Sequence, residues 1–126
     1  MKLNLKNFYG TEQYYFNPFF KNIKYTDGIK FIGDNKASWL ITDALSVLNY
    51  DEKVLKEYTE NGFISVKWIF NNDENGTATA TYTDGNDEIL FKQDYGITDF
   101  LKHFDINKNE LTLFYTNGVL MLSGEY

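Results

Sequence analysis

From residue 63 the chain alternates. Ile64, Val66, Trp68 and Phe70 fall on one side, Ser65, Lys67 and Ile69 on the other. A period of two predicts a strand with one buried face. The next run, TATATYT, is stricter still, with Ala78, Ala80 and Tyr82 set against Thr77, Thr79, Thr81 and Thr83. That is the pattern of a half-buried antiparallel strand. Two small alanines leave room for a helix on the inner face, and the segment carrying Trp39 is the expected partner. TDGN then turns the chain into a third strand, from Glu88 to Gln93. At the end, ELTLFYTNGVLMLSGEY reads as a hairpin over Asn117-Gly118, a dipeptide that accepts positive φ. Leu111, Leu113 and Tyr115 share one face, and Thr112 and Phe114 the other. Past the turn, Val119 and Met121 alternate with Leu120 and Leu122. Apolar residues on both faces predict an interior pair, so the hydrophobic end reads as core, with only Gly124 to Tyr126 outside it.

Upstream the period lengthens. Trp39, Leu40, Ala44, Leu45 and Leu48 make one stripe, predicting a helix from Lys36 to Asn49. Asp34 or Asn35 is the expected cap, and Asp43 and Ser46 are expected to face outward. A shorter helix, from Asp51 to Glu60, presents only Val54, Leu55 and Tyr58, and Gly62 is placed to stop it. In IKYTDGIKFIG, Thr26-Asp27-Gly28 stands between two β-prone runs and predicts a hairpin. A loop or short helix is expected from Asp99 to Phe104. The sum is an α+β domain: an antiparallel β-sheet of five to seven strands with one main α-helix packed on one face.

A chain of 126 residues is expected to form a single domain, 1–126, with a core of its own. It lacks cysteine, which excludes disulfides and thiolate chemistry. No apolar run reaches the roughly 20 residues that span a bilayer, and the start has no signal-peptide pattern, so the expected location is the bacterial cytosol. Twelve lysines face eighteen carboxylates, a net charge of −6, and arginine is absent altogether. Without the residue that clamps phosphate and reads bases, direct nucleic-acid binding is disfavoured. An acidic surface attracts a basic one, so a protein partner with a basic surface is the expectation.

Candidate chemistry is thin. His103 is the only histidine, with Asp99 and Asp105 close in sequence. A general base oriented by a carboxylate needs that grouping, but a surface or half-buried histidine explains it as well. Zinc needs several His or Cys ligands. Asp105, Asn107 and Asn109 imitate the start of a calcium-binding loop, but Glu110 stands where glycine belongs and Thr116 where the bidentate glutamate belongs. No phosphate-cradling glycine motif is present. No cofactor and no catalytic residue is assigned, and the chain is read as not an enzyme.

Two features fit binding. The first twenty residues hold seven rings: Phe8, Tyr9, Tyr14, Tyr15, Phe16, Phe19 and Phe20. Tyrosines are over-used at interfaces because they join contact area to a polar tip. Acidic loops flank the TATATYT strand, with Asp73 and Glu74 before it and Asp84, Asp87 and Glu88 after it.

NFYGTEQYY, YTDGIKFI, WLITDAL and NGVLMLSGEY together resemble an uncharacterised family of small bacterial and phage proteins. Its members share a GTE-x-Y-Y stretch near the start, a Trp-Leu helix and an ending like N-G-V-L-M-L-P-S-E-Y. Ser123-Gly124 stands here in place of Pro-Ser. The resemblance implies a phage or mobile-element origin and transfers no catalytic residue. By analogy with small acidic phage proteins, it points to an inhibitor of a bacterial defence system, acting as an anti-CRISPR protein does.

The expectation is therefore a binding protein that occludes a basic, nucleic-acid-binding surface of a host defence nuclease complex. Tyr9, Tyr14, Tyr15, Asp84, Asp87 and Glu88 are the candidate contacts. The alternative is a small-ligand-binding or weakly catalytic domain with a pocket between sheet and helix, built from Trp39, Trp68, Tyr82 and His103. A homodimer joined through an exposed sheet edge is compatible with either.

Overall fold

The computed structural model describes residues 2–126. The alternating segments are strands as expected. The strand β4 (Phe63–Phe70) buries Ile64, Val66, Trp68 and Phe70, and β5 (Ala78–Thr83) buries Ala78, Ala80 and Tyr82. β6 (Ile89–Tyr95) follows the TDGN turn. β8 (Glu110–Thr116) and β9 (Val119–Leu122) form the closing hairpin, with Asn117 and Gly118 both at positive φ. β2 (Tyr15–Asn17) and β3 (Phe20–Tyr25) complete a seven-stranded sheet in the order β2-β3-β9-β8-β4-β5-β6. The hairpin β8-β9 is interior, and its apolar end is core. All pairs are antiparallel except β3 with β9. Apart from this sheet, β1 (Leu3–Asn4) pairs in parallel with β7 (Phe104–Asp105).

Only one face of the sheet is fully covered. Ile29, Ile32, Leu40, Ala44, Leu45, Leu48 and Val54 from the helices join the inward strand residues in one core. The opposite face, with Ser65, Lys67 and Ile69 on β4 and Thr79 and Thr81 on β5, is half-buried or exposed.

The expected hairpin over Thr26-Asp27-Gly28 does not form. That stretch opens the helix α1 (Asp27–Ile32), with Thr26 extended at its N-cap position. The physical reason is tertiary. Glu125 Oε1 accepts the Thr26 hydroxyl at 2.6 Å and the Leu122 N–H at 3.0 Å, while Oε2 accepts the Gly28 N–H at 3.2 Å. A Cβ on Gly28 would meet Leu122 Cδ1 at 2.5 Å, so glycine serves close approach here and not a turn. Glu125 therefore belongs to the framework, contrary to the expectation that residues 124–126 lie outside it.

α2 (Ser38–Tyr50) is the predicted main helix, and α3 (Glu52–Asn61) the shorter one. Neither Asp34 nor Asn35 caps α2. Asp34 pairs with Lys30 at 3.0 Å, and the Asn35 amide donates to the Phe31 carbonyl. α2 starts instead where the turn over residues 33–37 breaks, with Lys36 at φ 82°. Asp51 caps α3 through the Val54 N–H, and Gly62, at φ 73°, ends it. The short helix α4 (Phe100–His103) lies within the expected 99–104 segment.

Candidate functional site

The GTE-x-Y-Y stretch folds onto the start of α1. The Thr11 hydroxyl accepts the Asp27 N–H at 2.9 Å. Asp27 returns the contact: its carboxylate accepts the Glu12 N–H at 2.9 Å and the Tyr15 hydroxyl at 3.0 Å. These bonds, the Glu12 N–H foremost, hold the Asp27 pKa below its ordinary value, and the same carboxylate raises that of Tyr15. Tyr15 also stacks on Tyr25, with the Lys30 ammonium 5.2 Å from the Tyr15 ring centroid. Tyr15 is thus a half-buried framework residue.

Its neighbours differ. Tyr9 is 82% exposed and Phe19 87%, and Tyr14 and Phe16 are exposed as well. Phe8 turns inward against Phe31 at 5.1 Å, and Phe20 lies against Tyr50. The seven rings therefore divide between support and display. Phe16 and Phe19 are as displayed as the tyrosines; the break at Asn17-Pro18 was the signal that this strand is too short to bury both its faces.

The acidic candidates lie on the β5–β6 turn. Asp84 folds back on the loop, accepting the Asn86 N–H at 2.8 Å and the Glu88 N–H at 3.3 Å. Asp87 and Glu88 are exposed. Glu57 and Glu60 of α3 reach the same corner and, with Lys53, Lys56, Glu88, Ile89 and Leu90, line an open cleft there of about 300 Å³. Spacing hid Glu57 and Glu60 in the sequence, because only the fold brings α3 beside β6.

Tyr14 and Tyr15 stand on the opposite margin from the acidic turn but at the same end of the sheet, whereas Tyr9 follows Phe8, which lines a cleft with Glu110, Leu111 and Thr112 at the start of β8. Tyr15 pairs with Tyr25, Tyr25 with Leu120, Leu120 with Tyr115 and Tyr115 with Ile64, while the next residue, Ser65, pairs with Thr83. Five strand spacings of roughly 4.8 Å separate β2 from β5, a span of about 24 Å. Charge is unevenly divided along the chain. Residues 1–37 carry six lysines and three carboxylates; residues 38–126 carry six lysines and fifteen carboxylates.

Trp39, Trp68 and Tyr82 do converge, beside Tyr95 and Asp43. Asp43 was expected to face outward, but it is half-buried and accepts the Tyr95 hydroxyl at 3.1 Å. Burial first, then the Asp43 charge, pushes the Tyr95 pKa well up; burial does the same to Tyr82. The Trp68 indole N–H works the other way on Tyr95 yet misses hydrogen-bond geometry, and neither it nor the Tyr82 hydroxyl has a partner. None of the five clefts described is lined by Trp68 or Tyr82. Trp39 instead lines an open cleft of about 460 Å³ with Glu74, Asn75, Ile97, Thr98, Asp99 and Lys102. His103 is half-exposed and its Nε2 lies 3.3 Å from Asp99.

Among the described residues, no group of three His, Asp or Glu side chains is arranged to hold a metal ion. The Asp105 loop cannot encircle one, because residues 110–116 are strand β8. Among the same residues, no helix is long and apolar enough to cross a membrane.

A family model described as a family of unknown function, DUF6876, matches residues 1–126. The chain belongs to the DUF6876 family. No curated protein and no solved structure matches it. For this DUF6876 chain, the stretches that carried the resemblance have structural duties: GTE-x-Y-Y latches onto α1, WLITDAL is the core helix, and the NGVLML hairpin is the middle of the sheet.

Proposed function

We propose that this protein is a non-enzymatic binding protein. It acts as a phage or mobile-element inhibitor of a bacterial defence system, occluding a basic, nucleic-acid-binding surface as an anti-CRISPR protein does. The observation that carries this reading is the corner where Glu88 meets Glu57 and Glu60, with Lys53 and Lys56 in the same cleft and exposed Asp87 on the adjoining turn. It lies at the same end of the sheet as exposed Tyr14, a second contact about 24 Å away. A standard interface of about 800 Å² per partner is roughly 28 Å across, so one partner spans both. Carboxylates at the rim speed and orient docking onto a basic patch, and rings with polar tips supply contact area.

The test is affinity capture from the bacterial host at low and moderate salt, with nucleic acid added as competitor. A retained nuclease complex that is released by nucleic acid, and that binds at least about tenfold more weakly to Asp87→Lys/Glu88→Lys, supports the reading. Asp84 is left intact because it holds its own loop together. Capture indifferent to salt, to nucleic acid and to the double reversal refutes it.

A second reading rests on the cleft beside Trp39, where an aromatic face, Glu74, Asp99 and Lys102 line one open hollow. It is a small-ligand site, weakly catalytic if His103 takes part. A small polar metabolite that protects Trp39 fluorescence from quenching, and loses that effect in Trp39→Ala, favours it over the first.

A further inference from the structure

The sheet ends in two unlike edges. β2 is three residues long, is interrupted by a register shift between Phe16 and Asn17, and runs into Pro18. Short length, bulge and proline are the devices that blunt an edge. β6 is seven residues long, pairs among the described strands with β5 alone, has one register shift near its start at Leu90, and ends at Tyr95 before a bend at exposed Gly96. Ile89, which opens the strand, is 57% exposed. An edge of that length with an isoleucine displayed at its start is a template for another strand.

We propose that β6 pairs antiparallel with β6 of a second copy of this chain, about a two-fold axis at Gln93. The register follows from the sequence of the strand. A two-fold axis normal to the sheet sets residue i opposite the residue equally far beyond the centre. Centred on Gln93, Lys92 faces Asp94 of the second copy, and Asp94 faces its Lys92. Phe91 meets Tyr95. Centred on Lys92 or Asp94, the strand would set a charge against its own kind. Centred on Phe91, it would set Asp94 against Glu88. Opposite charges and aromatic or β-branched pairs across strands are stabilising, and like charges opposed are not. Lys92 and Asp94 are both exposed, on the open face with Thr81 and Thr79. Lys92 alone would guard the edge against pairing, but Asp94 two residues on turns the guard into a lock that its own copy fits. The helices of both copies then lie on one side of a continuous sheet. The cleft at each acidic corner shares Ile89 and Leu90 with this edge, and the Lys92 and Asp94 swaps, which leave Glu57, Glu60 and Glu88 in place, separate association from what the corners bind.

Sedimentation equilibrium from micromolar to sub-millimolar concentration tests it. The wild-type chain is expected at twice its 14.7 kDa mass at the upper end. Lys92→Asp and Asp94→Lys each change two symmetry-related pairs from attraction to repulsion and weaken association by about tenfold or more. The double swap, Lys92→Asp with Asp94→Lys, restores it. Because the chain has no cysteine, Gln93→Cys gives a clean second measurement. Mild oxidation joins it into a covalent dimer, since opposed Cα atoms about 5 Å apart allow a disulfide, while an Asn17→Cys control on β2 stays monomeric. Circular dichroism shows that each variant is folded. A wild-type chain that stays monomeric at the highest concentration, a double swap that fails to restore association, or a Gln93→Cys chain that does not cross-link overturns the proposal.

Discussion

On the β2 side of the molecule, Thr26, Asp27 and Glu125 distribute their hydrogen bonds among Thr11, Glu12, Tyr15, Gly28 and Leu122. On the β6 side, Trp68 and Tyr82 bury an N–H and an O–H that find no partner among the described residues. The first region is held by polar contacts between segments far apart in sequence. The second is held by rings: Trp39 against Tyr95, Trp68 and Phe91 against Tyr82. Polar latches are specific, and the Glu125 one is costly to break because the Thr26 hydroxyl and the Gly28 N–H left behind are buried. Aromatic packing tolerates the loss of a polar atom and in places gains from it.

The largest effect that separates the two regions is at Glu125. Glu125→Ala strands the buried Thr26 hydroxyl and the Gly28 N–H, and costs about 2–3 kcal/mol. Urea unfolding measures it. A loss below about 0.5 kcal/mol would mean that water replaces the carboxylate and that the latch contributes little. On the other side the sign reverses. Tyr82→Phe keeps the ring in its T-shaped contacts, removes the unpartnered hydroxyl, and is expected to raise stability by about 1 kcal/mol. Thermal melting of the variant shows it, and a lower melting temperature would break the contrast.

This division also marks how far the sequence could be read. Strands with strict alternation, Phe63–Phe70 and Ala78–Thr83, were legible because both their neighbours and their burial follow from a period of two. The main helix was legible from its stripe, and Gly62 as the end of α3 from its conformational freedom. Ile-Lys-Phe-Ile after Asp27-Gly28 was read as a strand because local preference favours one. It is a helix because Glu125, almost a hundred residues away, accepts from its first turn. No local pattern carries a contact of that range. The parallel β3–β9 pair was hidden for the same reason. Of the candidate contacts, Tyr9 and Tyr14 are exposed, whereas Tyr15 is part of the latch. That the acidic loop and Tyr14 share one end of the sheet follows from strand pairing and not from spacing.

A smaller effect lies where the regions join. α2 links them, reaching Tyr95 through Trp39 and Asp43 near its start and Phe20 through Tyr50 at its end. Its start is set by Lys36 at φ 82° and ψ 6°, a conformation that favours glycine. Lys36→Gly relieves that strain while adding freedom to the unfolded chain. The net expectation is a gain of about 0.5 kcal/mol, seen as a shift in the urea midpoint at unchanged slope. Lys36→Ala keeps the strain and gains nothing, so equal midpoints for the two variants would show that the break is not strained.

The finest test reads the latch itself through pH. Asp27 has a lowered pKa in the folded chain, because the Glu12 N–H and the Tyr15 and Thr11 hydroxyls favour its charged form. A depressed carboxylate contributes stability that is present above its ordinary value of 3.8 and lost as pH falls through the lower, folded value. Tyr15 is raised, chiefly by its bond to Asp27, so its contribution is present below 10.0 and lost as pH rises through the higher, folded value. Between those limits the GTE-x-Y-Y stretch stays closed on α1. The Glu12 amide, bonded to the Asp27 carboxylate, reports the acid limb directly by NMR. Its shift is expected to titrate with a midpoint below 3.8, and Asp27→Asn to abolish that titration while the amides of β6 keep theirs. A Glu12 midpoint at or above 3.8 would show that the carboxylate gains nothing from these bonds, and that the β2 region, like the β6 region, is held by its rings.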